Sequence, residues 1–319
     1  MDALIIMLRN VLLFVALAIP GYLLVKTGML KQEQSGALSK LLMYIGMPFL
    51  ILSGTVSSLN FGKEFLLLLG AVVFIGVAYI FAMFFLTKPL TAMEKDQKTR
   101  GMMRFCATFA NNGFLGIPLA LAVFGADSPV MTVLIILNIV TNVLMYTLGI
   151  YLVSGDKSKM SLKKAFLNPV LIAFLLGIVL NLIKVTEYLP EVTTYSDHFK
   201  GLVTPISMTI LGMKLGAIRI KSLFTSGKVY YVSALCLILF PTVIVVLLFA
   251  LRPLMPSLVD EAMLLGVFLA FSMPTAGLAS TFADSFEGDT EHAVTMTLGT
   301  TILSILTIPT LYWLICLFL

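Results

Sequence analysis

Asn111-Asn112-Gly113-Phe114-Leu115-Gly116-Ile117-Pro118 interrupts an otherwise apolar segment with two amides, two glycines and a terminal proline. A helix crossing hydrocarbon has no reason to break there. Each backbone donor or acceptor freed in that medium is costly unless protein or trapped water satisfies it, so a helix broken at this depth lines a cavity. The run reads as half of a transport site; a simple proline kink, common in membrane helices, is the plainer alternative.

The surroundings justify treating the segment as intramembrane. The chain has 319 residues, 59% hydrophobic and 12% charged, with mean hydropathy +1.04, where soluble domains carry roughly 45–50% apolar residues. It reads as an integral membrane protein. The net charge of +5 sits in short basic runs between apolar segments, which points to membrane topology rather than nucleic acid. Cys106, Cys236 and Cys316 are scattered in apolar segments and form neither a disulfide framework nor a metal-ligand spacing. Ala16-Leu17-Ala18 imitates a signal-peptide cleavage site, but the apolar run continues through residues 21–25 and Asp2 replaces a basic leader, so a first span is expected.

Apolar runs fall near 4–25, 35–57, 64–87, 101–123, 128–153, 166–185, 199–217, 228–251, 260–283 and 292–318, ten candidate spans. The seventh is the weakest, being short and carrying Thr204, Pro205, Ser207 and Thr209. Loops after spans one, three, five and seven hold Lys26, Lys31 and Lys40; Lys88, Lys95, Lys98, Arg100 and Arg104; Lys157, Lys159, Lys163 and Lys164; and Lys214, Arg219, Lys221 and Lys228. The other side has only Arg9, Lys63, Lys184, Lys200 and Arg252, which places both termini outside the cytoplasm. The acidic run Asp284, Glu287, Asp289 and Glu291 dissents, but acidic residues weigh little in this rule.

The halves echo each other. Pro48 matches Pro205, Pro118 matches Pro274, and Asn138 and Asn142 match Thr297 and Thr301, all at an offset of about 157 residues. Five spans per half is odd, so the second half must enter the membrane upside down. The expected fold is all-α: ten transmembrane helices as two inverted five-helix repeats, residues 1–155 and 156–319, with helices four and nine broken and crossed.

The second break is Ser272-Met273-Pro274-Thr275-Ala276-Gly277. Where two breaks cross, half-helix ends bring free N–H groups together, which suits a carboxylate. Asn138, Thr141 and Asn142 share one helical face, with Thr297, Thr300, Thr301 and Ser304 as the matching stripe; interhelical packing is the alternative for both. No Asp or Glu lies at mid-span, which argues against a relay of buried carboxylates. For Lys214 and Arg104, snorkelling to the interface stands beside an electropositive entrance for anions. His198 and His292 sit in no metalloprotease motif, and no P-loop, nucleophile elbow or EF-hand spacing occurs, so an enzyme is not expected. No cofactor or metal is expected either.

These motifs resemble the auxin efflux carrier family, including bacterial malate and malonate permeases. The residues carrying the resemblance are Pro20-Gly21-Tyr22, Gly28-Met29-Leu30, Leu38-Ser39-Lys40, Pro48, Asn111 through Pro118, Tyr146-Thr147-Leu148, Asn168-Pro169 and Met273-Pro274. The resemblance implies that Asn111, Asn112 and Pro118 lie at the first crossover and Pro274 at the second, with Thr141 or Asn142 facing the substrate carboxylate; Gly113, Asn138, Thr275, Ala276 and Gly277, read from the breaks and the helix-five face, complete the expected substrate site. Helices one, two, six and seven would form a scaffold and the other six a moving bundle. Ala279 and Asp284 stand where plant relatives have a second proline and a basic residue, and the long plant loop between helices five and six shrinks to residues 154–165. Auxin itself and plant phosphorylation control therefore do not transfer. The expected function is secondary transport of small organic carboxylates across the cytoplasmic membrane, with the lipid bilayer as partner and a homodimer left open. Alternatives are a sodium-coupled bile-acid-type symporter and a non-transporting anion receptor or sensor.

Overall fold

A computed structural model describes residues 2–58, 63–217 and 225–319, so Arg219 and Lys221 lie outside the described residues. The fold is all-helical: α1 (Asp2–Lys26), α2 (Gln32–Val56), α3 (Lys63–Leu90), α4 (Gln97–Thr108), α5 (Asn112–Phe124), α6 (Pro129–Ser154), α7 (Pro169–Leu182), α8 (Glu191–Lys200), α9 (Val203–Gly216), α10 (Gly227–Leu251), α11 (Glu261–Phe271), α12 (Ala279–Ser285) and α13 (Thr290–Cys316). Many start at a polar cap whose side chain accepts a first-turn N–H: Asp96, Ser128, Asn168, Asp260 and Asp289.

Among the described residues seven stretches are long and apolar enough to cross a membrane: the greater part of α1, then α2, α3, α6, the run Lys157–Leu182 ending in α7, α10 and α13. The count falls short of ten apolar runs for a physical reason. The fourth run divides into α4 and α5, the ninth into α11 and α12, and the seventh reduces to the 14-residue α9. Apolar composition continues across the two breaks while the helix does not. Large apolar side chains such as Leu66, Phe74, Phe85 and Leu306 point outward, an exterior that suits lipid.

Proline shapes the helices further. Leu42–Gly46, Asn112–Gly116 and Ala234–Leu239 each form a wide π turn just before Pro48, Pro118 and Pro241. A proline crowds the carbonyl four residues back, here Tyr44, Phe114 and Leu237, and the wider turn relieves that clash. A fourth π turn, Met145–Gly149, has no such proline.

Two helix pairs anchor one side of the bundle. α1 packs on α9 backbone to backbone: a Cβ on Gly212 would lie 1.9 Å from the Ala18 carbonyl oxygen, and one on Gly21 would lie 2.1 Å from that of Thr209. Small residues let membrane helices approach this closely. α7 packs on α2 with Gly177 against the Thr55 side chain, and Asn181 Nδ2 donates to the Val56 carbonyl at 2.8 Å. Elsewhere α3 and α11 each lie on α6, and the Tyr79 ring of α3 stacks on Phe271 at the end of α11 with centroids 3.8 Å apart.

Candidate functional site

The two breaks meet. Phe109 leaves α4 in an extended conformation, and the Asn111 N–H donates to the Pro274 carbonyl at 2.7 Å. The Ala276 N–H returns the bond to the Phe109 carbonyl at 2.8 Å, so Ala110 and Thr275 form an antiparallel bridge. Thr275 Oγ1 donates to the Cys106 carbonyl at 2.9 Å, and the Thr275 N–H donates to Thr300 Oγ1 at 3.2 Å. Backbone groups released by one break are thus taken up by the other, which removes the penalty of unpaired amides in a low-dielectric interior.

At the start of α5 the Asn111 side chain accepts from the Phe114 N–H, and the Asn111 carbonyl accepts from Leu115 and Gly116. The Asn112 and Gly113 N–H groups are the ones left over at the helix end. They border a cavity lined by five asparagines, Asn111, Asn112, Asn138, Asn142 and Asn168, together with Met43, Met47, Met145, Ala276 and Gly277.

A directed hydrogen-bond chain crosses its wall. Thr141 Oγ1 spends its one proton on the Leu137 carbonyl at 2.8 Å, so it can only accept from Asn112 Nδ2 at 2.9 Å. Asn112 therefore presents its Oδ1 to Asn138, whose Nδ2 donates at 2.9 Å. The chain ends at Asn138 Oδ1, buried and without a partner. Gly113 is needed beside it, because a Cβ there would stand 2.8 Å from Asn138 Nδ2.

A second small cavity lies across the crossing. Asn111, Phe114 and Gly277 border both, and the second adds Ser207, Lys214, Thr297 and Thr301. Lys214, half-buried on α9, donates from Nζ to the Gly277 carbonyl at 2.8 Å. It also lines a large polar vestibule with Lys40, Lys164, Glu33, Tyr146 and Asp284. At the helix ends, polar clasps tie neighbouring elements. Lys228 pairs with Glu94 at 2.6 Å, and its hydrogen bond holds the Glu94 carboxyl below the ordinary range. Asp289 accepts from Thr99 Oγ1 at 2.6 Å and from the His292 N–H at 3.0 Å. Burial of Asp289 works against its charge, but those bonds and the nearby His292 prevail and keep its carboxyl low.

Of the residues read from the sequence, Asn111, Asn112, Gly113, Asn138, Asn142, Ala276 and Gly277 line the asparagine cavity. Thr141 stands behind the wall as the acceptor for Asn112. Pro118, Pro274 and Thr275 are buried away from the cavity, the first inside α5 and the others in the bridge. Asn168 and Lys214 were not among the expected site residues. Asn168 was legible only as a helix-opening Asn-Pro pair, and Lys214 carried only a basic residue's ambiguity.

A multi-pass helical membrane protein whose interrupted helices pair over a polar cavity is the class this geometry defines. The sequence profile of the membrane transport protein family matches residues 5–160 and 156–312. The chain belongs to that family, the auxin efflux carriers, and is a membrane transporter. It is similar to an uncharacterized transporter of Methanothermobacter thermautotrophicus, at 26% identity over 305 residues, 94% of this chain and 96% of the relative. It is also similar to an uncharacterized transporter of Methanocaldococcus jannaschii, at 30% identity over 218 residues, 66% of this chain and 70% of the relative.

Proposed function

We propose that the protein is a secondary transporter of small organic anions, carboxylates such as malate, malonate or auxin-like acids, working by alternating access in the cytoplasmic membrane. The observation that carries this reading is the paired crossing of two interrupted helices beside a cavity of five asparagines, with a lysine-bearing vestibule alongside. Interrupted helices place free N–H groups and amides at mid-membrane, where an anion meets donors without having to recruit water. Asn138 Oδ1 offers an acceptor for a hydroxyl or N–H of the transported acid.

The fold belongs to the same reading. Residues 1–155 and 156–319 are taken as inverted five-helix repeats, supported by reciprocal pairing: α1 with α9, and α7 with α2. Under a pseudo-two-fold axis these are one contact seen twice. Helices α1, α2, α7 and α9 then serve as the scaffold, with the remaining spans as the moving bundle. The distribution of basic residues among the loops supports a cytoplasmic vestibule with both termini outside.

Proteoliposomes test the proposal. Preloaded vesicles should exchange radiolabelled malate, malonate or an aromatic acetate, and the Asn112→Ala variant should not. Binding of these acids without movement of any of them would make the protein a receptor and sink the transporter mechanism.

A further inference from the structure

The substrate's negative charge needs a counter-charge, and the asparagine cavity has none: its lining residues are all uncharged. Across the crossing, Lys214 is a half-buried cation with no ion-pair partner among the described residues, and its ammonium rests on a neutral acceptor, the Gly277 carbonyl. An intramembrane cation facing a cavity marks a functional site by default. A second, independent feature lies in the same cavity. Thr297 is 7% exposed, and its Oγ1 has no hydrogen-bond partner.

We propose that the Lys214 cavity is a carboxylate site, in which Lys214 Nζ exchanges the Gly277 carbonyl for a carboxylate oxygen while Thr297 Oγ1 donates to the same group. This rests on the transporter reading and names the charge partner within it. A charged acceptor makes a shorter and roughly twice stronger bond than a neutral carbonyl, so the exchange runs toward the ligand. It also frees the Gly277 carbonyl, the point where α9 grips the second break, so binding loosens one arm from that helix. Because Lys214 borders both the cavity and the vestibule, an acid entering past Lys40 and Lys164 meets it before the asparagines.

The test uses the purified full-length chain and two acid and amide pairs, malonate with malonamide and phenylacetate with phenylacetamide. Thermal shifts select the acid that stabilises the fold more, and titration gives its Kd. The expected result is stabilisation by the acid and not by its neutral amide, with Kd raised roughly tenfold in Lys214→Met and about threefold in Thr297→Val. Wild-type Kd in both variants, or equal stabilisation by acid and amide, overturns the site. If flux of the acid persists in those variants, the transporter reading survives that loss. Absence of both binding and flux for every acid in the wild type overturns the two together. Should Lys214→Met fail to give a monodisperse protein, Thr297→Val decides alone: a raised Kd supports the site, an unchanged one removes it.

Discussion

The two breaks solve one problem by different means. The first, at the start of α5, carries its own cap: Asn111 caps its own helix, a π turn absorbs Pro118, and Asn112 is locked to Asn138 and Thr141 of the neighbouring α6. The second has no side-chain cap of its own, feeds the seven-residue α12, and has its Gly277 carbonyl held by Lys214 from a helix 63 residues earlier. One arm brings its own side-chain cap; the other has none and is held from a distant helix. The arm held from a distance is the one a ligand can release.

The largest expected effect tests the locked arm. Asn112→Ala strips the Asn138 amide and Thr141 of their partner at a fully buried position. It should cost about 2 kcal/mol of stability and abolish flux, read as a lowered melting temperature in detergent and as lost uptake in vesicles. Intact flux would mean that the asparagine chain is packing alone. Next comes a pair of glycine substitutions. Gly113→Ala drives a methyl to 2.8 Å from Asn138 Nδ2, whereas a Cβ on Gly277 meets nothing closer than 3.5 Å and its backbone is not left-handed. Flux should therefore fall sharply in the first variant and remain near wild type in the second; the reverse order would invert the assignment of rigid and adaptable arms.

A smaller effect is expected from Thr275→Val, which removes the bond to the Cys106 carbonyl that joins the arms. The loss should be about 1 kcal/mol, seen as a modest drop in melting temperature with flux retained. The smallest concerns the clasp at the far ends of the arms, where Thr99 of α4 meets Asp289 at the head of α13. The Asp289 carboxyl is depressed, so its contribution is present above the unfolded-state value of about 3.8 and is lost as pH falls through the lower folded value. Melting temperature should thus fall on acidification below about pH 4, and Asp289→Asn should flatten that part of the profile.

The sequence made the breaks legible because Pro, Gly and Asn act on their own neighbours; residues 111–118 and 272–277 announce interruption without reference to the rest of the chain. Asn138, Thr141 and Asn142 were legible as a face by helical periodicity. The division of labour within that face was not, since it depends on where Thr141 sends its proton. Lys214 was illegible for a different reason. Its depth follows from the shortness of α9 and from the contact of Gly212 with the Ala18 carbonyl, and neither fact resides near Gly277 in sequence. The shortfall from ten apolar runs to seven long helices has another root: a hydropathy window averages across each break and counts the two pieces as one span, and it does not register how short α9 is.

The antiparallel bridge between Ala110 and Thr275 carries a consequence for exchange with solvent. Non-helical backbone ordinarily gives up its amide protons fastest, and a cavity-side segment faster still. Here the Asn111 and Ala276 amides are each bonded across to the other arm, so releasing either requires the two arms to part. In deuterium labelling these coil amides should rank with the slowest helix interiors, and their sudden labelling would time the moment at which the crossing comes undone.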